Sequence, residues 1–113
     1  MPEIVYETLI DNATPLPPGG QVQSPVIDVS GAREVNIMVG IINTDAAVDW
    51  AVHFGPTTNN AYAPCRVGTF GSLQGKVAIS VPVFGTGMFV VVKNKGQNSQ
   101  SVDGKVYFIR DLP

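Results

Sequence analysis

The chain has 113 residues, with 7 Lys+Arg against 9 Asp+Glu for a formal net charge of −2. Charged residues make up only 14%, against roughly 25% in an average soluble domain, while the apolar share of 44% is ordinary. Such a chain has no electrostatic footprint for nucleic acid or anionic lipid, no apolar run of roughly 18 residues that could span a membrane, and no basic-then-apolar start of the secretory kind.

Its length is that of one domain, 1–113, long enough to hold a core without disulfides or metal. Period-2 alternation, β-branched residues and turn signals recur throughout, and no window carries the 3.6-residue pattern of an amphipathic helix. The predicted strands, in order, are 3–10, 21–29, 34–42, 47–54, 64–70, 76–84, 87–94 and 102–110. Between them, stretches such as the Pro-rich 11–20, 43–47, 71–75 and 94–101 read as loops, because Gly, Pro, Asn and Ser dominate them. Asn12-Ala-Thr14 matches a glycosylation acceptor, which without a secretory route is a chance match.

In the fourth strand Val48, Trp50, Val52 and Phe54 share one face and Asp49, Ala51 and His53 the other, which makes Trp50 a core residue. In the sixth, Val77, Ile79, Val81 and Val83 point inward and Pro82 falls on the opposite phase, the mark of an edge strand or a bulge. Eight short strands with no room for crossover helices predict an all-β fold, an eight-stranded antiparallel β-sandwich of jelly-roll type.

Two strands break the alternation. Residues 35–42 and 88–92 are apolar on both phases, so one face of each needs a cover beyond the sandwich core. The cover is either the Pro-rich segment 11–20 folded back as a lid, or another copy of the chain. The second option makes Met38, Ile42, Phe89 and Val91 the expected interface of a homo-oligomer.

Candidate chemistry is sparse. His53 and Asp49 lie on one strand face, but four residues along a strand separate them by roughly 13 Å, too far for a catalytic pair. Cys65 can form no internal disulfide, and Ala63-Pro-Cys-Arg-Val67 matches no nucleophile signature. One His and one Cys rule out the multi-ligand zinc patterns, and no Gly-rich phosphate loop precedes a helix. No cofactor, metal site or catalytic set is therefore expected.

The positive lead is in the loops. If every strand reverses the chain, 11–20, 43–47, 71–75 and 94–101 gather at one end and display amides and a carboxylate, with Asn43, Asp45, Asn94, Gln97 and Asn98 as candidate ligand-binding residues. Such groups can bind sugar hydroxyls. Glycan sites usually also show an aromatic ring, and Tyr62, beside the other long loop, is the one loop aromatic.

A compact, charge-poor, Cys-poor all-β module with a second apolar face and no catalytic set is similar, in general architecture, to the small assembly domains of phage and viral particles. The expectation is a non-enzymatic structural protein that self-associates, with other virion proteins as further partners and the virion as its location. The competing expectation is a carbohydrate-binding or adhesion module that works through the amide-rich loops.

Overall fold

The computed structural model describes residues 2–41, 47–56, 62–69 and 75–111, with the backbone alone for residues 12 and 13. Their regular structure is all β, in nine strands: β1 (Pro2–Leu16), β2 (Gln21–Gln23), β3 (Ile27–Asp28), β4 (Glu34–Ile41), β5 (Val48–Gly55), β6 (Ala63–Thr69), β7 (Lys76–Pro82), β8 (Gly87–Asn94) and β9 (Gln100–Asp111). Two antiparallel sheets pack face to face. Sheet A has the order β1-β9-β4-β7, and sheet B the order β2-β8-β5-β6, with β3 also paired to β8. With β2 and β3 counted as one interrupted strand, every consecutive pair of the eight strands except β5–β6 crosses between the sheets, the arrangement of two Greek keys, so the expected jelly roll is the fold.

Period-2 patterning is the reason this sequence makes these layers. Val35, Ile37, Val39 and Ile41 of β4 face Val48, Trp50, Val52 and Phe54 of β5 across the sandwich, with Val90, Val92, Val106 and Phe108 in the same buried core. Trp50 is 7% exposed, as its phase predicts. Its ring lies over Gly68 of the neighbouring strand, in space that a side chain at position 68 would occupy.

The predicted strands differ from the observed ones in two informative places. The stretch 21–29 is not continuous: Pro25 has no N–H to give to β8, and pairing stops at Gln23 and resumes at Ile27. Buried Ser24 bridges the gap, its N–H donating to Val90 O at 2.9 Å and its Oγ accepting from Val90 N at 2.9 Å. Segment 11–20 is not a lid either. Residues 11–16 prolong β1 along β9, with Thr14 opposite Val102 and Leu16 opposite Gln100. Pro15 is tolerated because β1 is the edge of sheet A. A register shift between Thr8 and Ile10 allows consecutive Leu9 and Ile10 both to be buried. Pro82 closes β7, the other edge of sheet A, as its phase predicts.

Candidate functional site

The two doubly apolar strands lie in different sheets. Met38 of β4 points from the outer face of sheet A, whereas Phe89 and Val91 of β8 point from the outer face of sheet B. Residues 35–42 and 88–92 therefore form two surfaces on opposite sides of the sandwich rather than one patch. Ile42 lies outside the described residues.

On the outer face of sheet A, β1 and β9 set Tyr6 opposite Tyr107 and Ile4 opposite Ile109. The two tyrosine rings have centroids 6.5 Å apart. Next to them β4 and β7 pair Asn36 with Ser80 and Met38 with Ala78. Ile4 is 69% exposed, Tyr6 60%, Ile109 51%, Met38 44% and Tyr107 38%. A shallow groove of about 420 Å³ runs between Tyr6, Asn36, Met38, Ala78, Ser80 and Tyr107. A second depression continues it toward Arg33, Glu34 and Asp111.

Sequence reasoning reached only Met38 on this face. A signal for the rest was present, since Tyr107 and Ile109 sit on the phase opposite to buried Val106 and Phe108, as Ile4 and Tyr6 flank Val5.

On the outer face of sheet B the end around Phe89 is covered from within, while Val67 of β6 stays 65% exposed beside Ala51 and Val91. His53 stacks on Phe89 with ring centroids 4.6 Å apart and planes 12° from parallel, and Tyr62 tilts onto the same ring at 5.1 Å. Burial in this stack pushes the His53 pKa below its usual value. Asp49, on the same face, accepts from Thr69 Oγ1 at 2.7 Å and pairs with Lys95 at 3.2 Å. The Thr69 hydrogen bond, then Lys95, hold its carboxyl below the usual range. His53 is thus engaged by Phe89 and Asp49 by Thr69 and Lys95, and neither is hydrogen-bonded to the other. Cys65 is exposed on β6, its Sγ lying 3.5 Å from Ala63 O. Among the described residues no group of three or more His, Cys, Asp or Glu side chains could hold a metal ion.

Of the loop end expected from strand parity, residues 42–46 and 71–74 lie outside the described residues and 11–16 belong to β1, and the described flanks meet at one end of the sandwich. Gly19 N–H donates to Asn94 O, Asn94 N–H to Gly20 O, Lys95 N–H to Ala47 O and Ile41 N–H to Gly75 O. Asn94, however, is not displayed there. It is fully buried; its amide donates to Leu16 O at 3.1 Å and Asn98 O at 2.7 Å, while its Oδ1 accepts from Gly96 N at 2.9 Å. The side chain clamps the end of β1 to the loop after β8, so its amide is spent inside the chain. Gln97 and Asn98 are exposed in that loop. Asn43 and Asp45 lie outside the described residues.

No family model matches this sequence, and no curated protein matches it. Solved structures do share its fold. The disulfide-linked pili of Bacillus endospore appendages match with a TM-score of 0.63 at 9% identity, over 100% of this chain and 92% of that one. The SPBc2 prophage-derived protein YomS matches at 0.54 and 13% identity over 95% of each chain. The subviral particle protein of infectious bursal disease virus matches at 0.61 and 12% identity, over 96% of this chain and 33% of that one. Tripeptidyl peptidase 2 contains a similar stretch, with a TM-score of 0.61 at 13% identity over 10% of its chain. At these identities the likeness establishes a β-sandwich of the jelly-roll type found in pilus and viral proteins, and fold alone does not assign an activity. Among the described residues no helix is long and apolar enough to cross a membrane.

Proposed function

We propose that this chain is a non-enzymatic structural protein that works by self-association, of the kind that builds phage or viral particles as a capsid or tail accessory. The observation that carries the reading is the outer face of sheet A, where five of the eight exposed large hydrophobic side chains among the described residues stand together, the other three being Val26, Val67 and Phe84. The endospore-pilus and subviral-particle neighbours support it, because those proteins share this fold and belong to assemblies. A virion location and contacts with other virion proteins follow from the same reading.

The test is the solution mass by light scattering over about a hundredfold concentration range, since an assembly held by mass action must show its multiple when concentrated. A fixed multiple of 12.0 kDa is the expected result. A monodisperse 12.0 kDa species at every concentration overturns it, and glycan binding through exposed Gln97 and Asn98 then becomes the reading to pursue.

A further inference from the structure

We infer that the outer face of sheet A is held by the same face of a second copy, across a two-fold axis that lies in the interface and runs perpendicular to the strands. This deepens the assembly reading and rests on it.

The middle of the face is suited to burial. Its polar pair, Asn36 and Ser80, is bonded within the chain: Ser80 Oγ donates to Asn36 Oδ1 at 2.6 Å, and Asn36 Nδ2 donates to Tyr107 O at 3.4 Å. Covering these groups therefore leaves one Asn36 amide proton to be met by an acceptor on the second copy. On either side along the strands lie the apolar pairs Ile4–Ile109 and Met38–Ala78.

Beside and beyond these pairs the two ends differ in charge, with Lys105 directly opposite Met38. One end carries Glu34 and Asp111 with Arg33, a sum of −2 + 1 = −1; the other carries Lys76 and Lys105 with Asp103, a sum of +2 − 1 = +1. The two ion pairs within the described residues, Lys95–Asp49 and Arg110–Glu3, use none of these six groups. Among the described residues these six charges have no ion-pair partner. A face that sums to zero gives no pull to a polyanion or to a strongly basic partner. It is complementary to itself, provided the second copy is reversed along the strands so that the acidic end lies over the basic one. An axis parallel to the strands would put like ends together.

The size also fits. Four strands about 4.8 Å apart, each with about four outward positions about 6.6 Å apart, give a plan area of about 500 Å² before side-chain relief. A stable pair buries roughly 600–800 Å² on each partner, so relief of the tyrosine and isoleucine side chains brings the face into that range.

Sedimentation velocity on the full chain separates the outcomes. Tyr107→Lys, with Met38→Lys as a second variant should the first fail to fold, is expected to yield monomer with an unchanged circular dichroism spectrum. Glu34→Lys and Lys105→Glu should each weaken association by about tenfold, and the double swap should restore most of it. Oligomers that persist in both lysine variants overturn this inference while leaving the assembly reading intact. Weakening by both single swaps without restoration in the double overturns the reversed two-fold. A wild-type monomer at all concentrations removes the assembly reading and this inference together.

Discussion

The two outer faces of the sandwich begin from the same sequence signal and end differently. On sheet A, Met38 joins Ile4, Tyr6, Tyr107 and Ile109 in an open surface. On sheet B, Phe89 is enclosed by His53 from the adjacent strand and by Tyr62, and Asp49 is tied down by Thr69 and Lys95. Apolar residues on both phases of a strand show that two faces want cover. Whether the chain supplies that cover depends on cross-strand neighbours. The β5 strand supplies His53 to Phe89, whereas the partners of Tyr107 on β1 and β4, Tyr6 and Asn36, lie beside it and leave its ring exposed.

Substitutions can break or sharpen this contrast. Trp50→Ala removes a core ring between the two sheets and should cost about 3–5 kcal/mol in chemical denaturation, whatever the state of either face. Asn94→Ala leaves buried Leu16 O without its donor, so a loss of about 1–3 kcal/mol is expected by the same measurement. Phe89→Ala at the covered end of sheet B should cost about 2 kcal/mol, because a half-buried ring loses about half of a full burial. Ile109→Ala on the open face should stay within about 0.5 kcal/mol when the protein is dilute enough to be monomeric. Equal costs at Phe89 and Ile109 would erase the distinction between the faces.

The smallest effect is a pH dependence. Burial against Phe89 lowers the folded-state pKa of His53 below 6.5, so the folded chain favours the neutral imidazole. That stability is complete above the unfolded value and is lost as pH falls through the folded one. Melting temperature should therefore decline between about pH 7.5 and pH 5, and His53→Phe should flatten part of the decline.

Much of the fold was legible because alternation survives wherever one face is buried, as in Val48, Trp50, Val52 and Phe54. The break at Pro25 was overlooked although a signal for it was present, since core-packed Val22 and Ile27 are five residues apart and the period-2 phase therefore changes there. The extension of β1 past Asp11 was hidden by its prolines, which an edge strand accepts. The inward turn of Asn94 was not legible, because composition does not reveal which amide meets a carbonyl 78 residues away. Of the open face, Met38 was read directly. Tyr6 and Tyr107 became neighbours only through the pairing of the chain's first and last strands.

Hydroxyl-radical footprinting of the protein, at concentrations below and above its association, tests most directly the claim that sheet A supplies the contact. The account predicts that Met38, Tyr6 and Tyr107 lose reactivity on association while exposed Phe84, away from that face, keeps its own. Unchanged oxidation of Met38 and Tyr107 in the assembled protein would contradict it.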